Sequence, residues 1–281
     1  MKHSYAQANG IKIHYVEQGT GKLVILLHGF PEFWYGWKNQ IPELAKKYRV
    51  VAPDMRGYNL SDKPKKVSDY TMEILAKDIA DLITALGEKE ALLVGHDWGA
   101  AVAWSVAAWY PEKVTKLAIL NVPHPAKMKQ AFEGFNLQQW KKSWYIFFFQ
   151  LPLFPEKIVG TEKFFRQTFS KMGINKNAFS KYDIDQYVEA YKQPGAIKST
   201  IAYYRAAFRS IFSAKSLPKI NAPVLMLWGE QDTALGKELT YNTQQYCQGD
   251  FEIFYDATSG HFVQHDNPKW VNEKLVAFFE K

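Results

Sequence analysis

The residue type most able to do chemistry in this chain is an aspartate in a tight setting. Asp97 stands in Gly95-His96-Asp97-Trp98-Gly99, between an apolar run from Ala91 to Val94 and a run of small residues from Gly99 to Ala103. The apolar run reads as a buried strand and the small-residue run as the opening of a helix, which puts Asp97 on the sharp turn between them. The two glycines permit that turn and a close approach of strand and helix. Free N–H groups and the dipole at a helix N-terminus favour a carboxylate. An ionised Asp there is a nucleophile that needs no base to activate it. An ordinary N-cap is the plainer reading of the same residue.

A carboxylate that attacks carbon leaves an ester on the protein. Clearing it takes a water, a base to activate the water, and an acid to orient the base. Among the seven histidines the base candidate is His261, in Ser259-Gly260-His261-Phe262, where Gly260 lets the chain turn. His265 is its near rival, expected to face the start of the last helix. His28 and His96 sit beside turn glycines and read as residues that tie loops together. The orienting acid is Asp232, in Trp228-Gly229-Glu230-Gln231-Asp232, with Glu230 and Asp256 as alternatives and a helix N-cap as the plainer role. Attack of water on the ester makes an oxyanion, for which the N–H groups of Trp98 and of Phe30, in His28-Gly29-Phe30-Pro31, are the natural donors. That last segment also reads as a tight turn with room for a cis proline.

The elements that must hold these residues alternate along the chain. Ser4–Ala8 and Ile11–Val16 read as strands joined at Asn9-Gly10, a strong hairpin signal. Gly19-Thr20-Gly21-Lys22 precedes a strand and so reads as a turn, not a phosphate loop. Strands are expected at Leu23–Leu27, Val50–Pro53, Ala91–Val94, Lys116–Asn121, Val224–Trp228 and Phe251–Tyr255. Helices are expected at Trp34–Lys46, Thr71–Leu86, Gly236–Tyr246 and Lys269–Phe279. This alternation predicts an α/β fold, a mostly parallel sheet with helices on both faces. It stops near Pro125 and resumes near Pro218. Residues 1–124 and 218–281 therefore read as the core, and 125–217 as an inserted helical cap. Asp97, Asp232 and His261 all follow strands, at the sheet edge where open α/β sheets bind ligands.

Composition narrows the class. With 281 residues, 47% of them hydrophobic, the chain can bury a large core. Its net charge of +7 comes from lysines scattered over the elements, with Lys63, Lys65 and Lys66 the nearest to a cluster, so no nucleic-acid footprint is expected. The single cysteine, Cys247, excludes an internal disulfide and suits a reducing compartment; with no secretory signal at the start, the expected location is cytoplasmic. The longest apolar stretch, Tyr145–Phe154, is broken by Gln150 and Pro152 and is too short to span a bilayer, so no membrane partner is expected.

Six motifs in order resemble the epoxide hydrolases of the α/β-hydrolase fold: His28-Gly29-Phe30-Pro31, Asp54-Met55-Arg56-Gly57-Tyr58, Gly95-His96-Asp97-Trp98-Gly99, Asn121-Val122-Pro123-His124-Pro125, Trp228-Gly229-Glu230-Gln231-Asp232 and Gly260-His261-Phe262-Val263-Gln264. The order nucleophile, acid, histidine is that of the α/β-hydrolases. Some relatives carry the acid after the strand that follows the elbow helix; Asn121-Val122-Pro123-His124 has no carboxylate there. The resemblance implies two cap tyrosines that face the nucleophile. Trp144-Tyr145-Ile146-Phe147-Phe148-Phe149-Gln150 matches the first segment and Tyr203-Tyr204-Arg205 the second, which assigns Tyr145 and Tyr204; as bare sequence both stretches are aromatic helix faces. A phenol, with a pKa of about 10, stays protonated at neutral pH and can donate to the oxygen of an opening epoxide.

Haloalkane dehalogenases are similar but use an Asn where this chain has Phe30. Haloacetate dehalogenases carry an Arg where it has Trp98. Both departures favour an epoxide over a halide. The resemblance thus implies an epoxide and water as partners, a vicinal diol as product, and no metal or organic cofactor. Phe33, Trp34, Trp98, Phe148 and Phe149 are expected to wall an aromatic pocket. A homo-oligomer is compatible with the sequence. The competing functions are a dehalogenase with the same Asp nucleophile and a non-catalytic α/β-hydrolase homologue that binds a ligand.

Overall fold

A computed structural model describes residues 1–134, 137–159, 161–210 and 216–281; residues 135–136, 160 and 211–215 of the expected insertion lie outside the described residues. The described strands are β1 (Lys2–Ala8), β2 (Ile11–Gln18), β3 (Leu23–Leu27), β4 (Arg49–Pro53), β5 (Ala91–His96), β6 (Val114–Leu120), β7 (Val224–Gly229) and β8 (Phe251–Asp256). They form one eight-stranded sheet in the order β1-β2-β4-β3-β5-β6-β7-β8. The hairpin β1–β2 and the pair β2–β4 are antiparallel. From β4 to β8 every pairing is parallel.

The middle strands are apolar throughout because both faces of the sheet are covered. All five residues of β3 and all six of β5 are buried. Successive side chains part company as the pleat requires. Leu93, Leu117, Ile119 and Trp228 point to one face, packed by α2 (Met72–Ala85) and α3 (Trp98–Trp109). Leu92, Val94, Leu120 and Leu227 point to the other, packed by Trp37, Ile41 and the helix Pro268–Glu280.

Two expected helices are not helices of that length. Trp34–Lys46 is a 3-10 turn, Trp34–Trp37, followed by the single-turn α1 (Ile41–Leu44). Pro42 has no N–H to give and its ring clashes with a carbonyl one turn back, so it stands only at the start of a helix. Gly236–Tyr246 is two 3-10 turns, Lys237–Thr240 and Thr243–Tyr246. Asn242 between them is left-handed, with φ +61°, which stops helix propagation.

Between β6 and β7 the chain is helical: α4 (Pro125–Glu133), α5 (Leu137–Lys142), α6 (Trp144–Phe148), α7 (Phe154–Val159), α8 (Glu162–Met172), α9 (Lys181–Lys192) and α10 (Ala196–Ser210). Two helices close the chain after β8: α11 (Val263–Asp266) and α12 (Pro268–Glu280). The insertion is fastened to the core by buried contacts. Tyr203 on α10 donates to the Arg56 carbonyl at 2.7 Å. The Asp266 carboxylate accepts from the Ile174 and Asn175 N–H groups of the insertion at 2.9 and 3.0 Å, and from Gly260, next to His261, at 2.8 Å.

Candidate active site

Asp97 follows β5 directly and opens α3 with φ +48° and ψ −124°. That is a costly conformation for a residue with a Cβ. The close approach that holds it depends on Gly99, where a Cβ would lie 2.1 Å from the Leu27 carbonyl oxygen. The Asp97 side chain makes no capping hydrogen bond to its own helix, so the N-cap reading does not apply. Its Oδ1 instead accepts the Phe30 N–H at 2.7 Å. The loop Gly29-Phe30-Pro31, whose Phe30–Pro31 peptide is cis, reaches this close because residue 29 has no Cβ; one there would lie 2.2 Å from the Cβ of Asp97.

The other carboxylate oxygen, Oδ2, is 3.5 Å from Nε2 of His261. On the far side of that ring, Nδ1 donates to Oδ2 of Asp232 at 2.8 Å. Asp97, His261 and Asp232 are thus brought into line from three loops that each follow a strand. Asp97 keeps 16% side-chain exposure, while His261 and Asp232 keep 3% and 1%. The Asp97 carboxylate is reachable and the His261–Asp232 pair is sealed.

Asp232 is saturated with donors. Oδ1 accepts the N–H groups of Ala234 and Leu235 at 2.7 and 2.9 Å, which closes a local turn; no helix starts at Asp232, so the helix N-cap reading does not apply, the next 3-10 turn being capped by Gly236. Oδ2 also accepts from Asn121 Nδ2 at 2.9 Å. Asn121 thus serves Asp232 as a neutral donor. The alternatives to Asp232 have other tasks: Glu230 pairs with Lys237 at 2.5 Å, and Asp256 binds Thr258, Ser259 and Asn267.

Electrostatics follow from this stacking of anion, cation and anion. Burial alone would lower the pKa of His261, but the charge and hydrogen bond of Asp232, then those of Asp97, raise it to about 10. Burial alone would raise Asp97; the hydrogen bond and charge of His261, with help from His96 and the Phe30 N–H, hold it below the usual carboxylate value. Asp232 is held low in the same way, chiefly by the charge of His261 against burial.

Behind the line lies a buried hub that the sequence reading did not single out. Glu32 accepts from His265 Nε2 at 2.7 Å, His96 Nδ1 at 3.0 Å, Gln264 Nε2 at 3.1 Å and the Tyr187 hydroxyl at 3.3 Å. Burial opposes its ionisation, and the hydrogen bonds of His265 and His96 overcome that and hold it well below the usual value. The one sequence signal was a glutamate inside the apolar run Phe30–Trp37, where an unpaired charge would be costly. His265, the rival base, is committed to this hub. His96 ties loops, as its position suggested, by donating from Nε2 to the His261 carbonyl at 2.8 Å. His28 does the same by accepting the Met55 N–H at 3.0 Å.

The insertion delivers the aromatic residues. Tyr204 packs on Phe149 at 4.5 Å between ring centroids, on Trp98 at 5.0 Å, on Phe30 at 5.4 Å and on Tyr145 at 5.9 Å. Burial, then the charge of Asp97, pushes both the Tyr145 and Tyr204 phenols far above their ordinary value, so both stay protonated. Of the neighbours Tyr203 and Tyr204, only Tyr203 spends its hydroxyl on the Arg56 carbonyl. Phe148 touches Phe149 at 5.6 Å and so borders the same cluster. Phe33 and Trp34 pack with Tyr35 and, through Phe33, with Tyr187; among the described residues neither ring touches Tyr145 or Tyr204.

The description "alpha/beta hydrolase fold" fits residues 22–268 as a family. The AB hydrolase superfamily protein YfhM of Bacillus subtilis is 40% identical over all of this chain and 98% of its own length. Epoxide hydrolase 4 of Mus musculus is 36% identical over 99% of this chain and 80% of its own. The crystal structure of the Bacillus megaterium epoxide hydrolase in complex with an inhibitor superposes with a TM-score of 0.90, at 33% identity, over 99% of this chain and 100% of that one.

Proposed function

The chain belongs to the α/β-hydrolase fold family, among its epoxide hydrolases, and on that premise we propose that it opens an epoxide to a vicinal diol through an ester on Asp97. The observation that carries this reading is the division of labour between the two oxygens of Asp97. Oδ1 rests on the Phe30 N–H at 2.7 Å, while Oδ2 faces His261 at 3.5 Å.

In the first step Oδ2 attacks an epoxide carbon and the carbon–oxygen bond breaks. Tyr145 and Tyr204 hold the departing oxygen, which must gain a proton to leave as an alcohol. The step consumes the negative charge of Asp97. Charge balances if the proton that His261 carries in the resting site ends on the alcohol by way of a phenol. This also readies the base: with Asp97 esterified, one of the two anions that raise the His261 pKa is gone, and the neutral imidazole can accept a proton.

In the second step His261, oriented by Asp232, takes a proton from water as the water attacks the ester carbonyl. The oxyanion forms on Oδ1, against the N–H groups of Phe30 and Trp98. Collapse restores the carboxylate and releases the diol. Neither step requires a metal or organic cofactor. We read residues 125–217 as a cap over the core formed by 1–124 and 218–281, because α6 and α10 supply the phenols. Phe148, Phe149 and Trp98 serve as its apolar wall; Phe33 and Trp34 lie one layer further out.

A two-channel assay tests the reaction class. Diol is followed from a panel of aryl and alkyl epoxides, and halide from haloalkanes and haloacetates, each beside Asp97→Ala. Diol formation that disappears in the variant supports the reading. Halide release without diol replaces it with a dehalogenase, and ligand binding without either product replaces it with a receptor.

A further inference from the structure

We propose that the outer face of the insertion, around α6 and α7, docks on an anionic lipid surface. It rests on the epoxide reading only for its cargo, lipophilic epoxides that enter from the bilayer. Single exposed apolar residues are ordinary, but a joined group of them is not. Trp144, Leu151, Leu153 and Phe154 are 62%, 48%, 68% and 55% exposed, and Phe147 and Ile158 are each 37% exposed. Two of them meet through one ring, Trp144 and Phe154 each touching Phe148 at 5.8 and 5.9 Å, and Leu151 and Leu153 lie on the short loop between these two helices. Leu153 sits in the left-handed region at φ +61°, strained for a leucine, and the turn it makes presents its side chain to solvent.

Charge identifies the partner. From Gly134 to Pro155 the chain has no Asp or Glu. The next two acids are neutralised, Glu156 by Arg205 at 2.7 Å and Glu162 by Arg166 at 2.5 Å. Lys141, Lys157 and Lys163 are exposed around the same helices. An apolar centre with a basic rim and no free acid is the pattern of a helix that lies in a membrane interface. A second copy of the chain would meet it less well, because a two-fold contact sets the basic rim against itself.

The patch is also continuous with the site. Phe148 touches Phe149 at 5.6 Å, and Phe149 touches Tyr204 at 4.5 Å. An unbroken line of aromatic contacts thus leads from the exposed face to the phenols, and Tyr145 lies on α6 beside Trp144. No helix among the described residues is long and apolar enough to cross a membrane. The contact is with a surface, and a patch spread over two short helices and a loop leaves no spanning signal, which is why the sequence suggested no membrane partner.

Vesicle flotation tests this. The protein is mixed with vesicles of equal parts phosphatidylglycerol and phosphatidylcholine, or of phosphatidylcholine alone. Flotation on the anionic vesicles that weakens with salt is expected. Partitioning should fall at least about tenfold in Trp144→Ser/Leu153→Ser/Phe154→Ser and, independently, in Lys141→Glu/Lys157→Glu/Lys163→Glu. Both variants should turn over a small water-soluble epoxide like the parent. Asp97→Ala should float like the parent, so a failure of the chemistry leaves this readout standing. No flotation, flotation indifferent to headgroup charge, or flotation unchanged in both triple variants overturns the proposal. A dimer in sedimentation equilibrium that the serine variant dissolves, without flotation, assigns the face to a second copy instead.

Discussion

Nε2 of His96 donates to the backbone carbonyl of His261 at 2.8 Å, so the residue beside the candidate nucleophile holds the candidate base in place. The same ring rests on Glu32, which also gathers His265, Gln264 and Tyr187. The Asp97 turn, the Phe30 loop and the His261 loop are therefore parts of one buried polar structure.

Replacing the base should stop the reaction halfway. In His261→Gln the alkylation of Asp97 keeps its nucleophile and its phenols and loses only the His261 proton, which solvent must then supply, whereas water attack loses its base outright, a loss of about 10²–10⁴ in rate. Mass spectrometry of the variant after a single turnover should show the chain heavier by one epoxide on a peptide containing Asp97. An unmodified peptide while the substrate is consumed would sink the two-step scheme.

The phenols should act on the first step alone. Tyr145→Phe and Tyr204→Phe are each expected to slow ester formation by about 10²–10³, the usual effect of removing one aimed donor. Tyr203→Phe is the control. It loses the hydrogen bond to the Arg56 carbonyl and so about 1 kcal/mol of stability, with the rate of alkylation preserved. Stopped-flow single-turnover rates compare the three.

Stability should decline in alkali for a reason located in the site. The pKa of His261 rises from 6.5 to about 10 on folding, so the folded chain keeps a proton that the unfolded chain releases between those values. The stabilisation is complete below pH 6.5 and is lost as pH climbs through about 10. Denaturant unfolding across that window should show stability falling by about 1 kcal/mol per pH unit. The slope should flatten in His261→Gln; an equal slope in the variant would place the titrating group elsewhere.

Glu32→Gln should be destabilising. It removes the anion from a buried cluster with two histidines, a change expected to cost about 3–5 kcal/mol. The denaturation midpoint reads this directly. Because His96 also holds the His261 carbonyl, kcat should fall with little change in KM.

Gly29→Ala tests the fit of loop against nucleophile. The added methyl would lie 2.2 Å from the Cβ of Asp97, so either the Phe30 N–H or the carboxylate must move. Ester formation should be lost, with the far-UV circular dichroism of the parent retained.

The sequence by itself determined the architecture and where along it the candidate residues stand. Asp97, Asp232 and His261 could be picked out because each is marked by its own neighbours: glycines on either side of the first, the apolar strand before the second, and Gly260 beside the third. Such turns are local, and so are the alternating apolar runs of the sheet. The same local logic overreached at Trp34–Lys46 and Gly236–Tyr246, where the expected helices are cut short at Pro42 and at the left-handed Asn242.

What only the tertiary structure decided depends on residues far apart in the chain. Glu32 lies 64 residues from His96 and 233 from His265, and a buried carboxylate has no reading until its partners are known. Asn121 reaches Asp232 across 111 residues, and Asp266 reaches the insertion across 92. Tyr204 and Tyr203 are neighbours of one type on one helix. The resemblance already assigns Tyr204; what packing decided is that the hydroxyl of Tyr203 goes to the Arg56 carbonyl while Tyr204 lies among Phe30, Phe149 and Tyr145, a helix turning about 100° per residue.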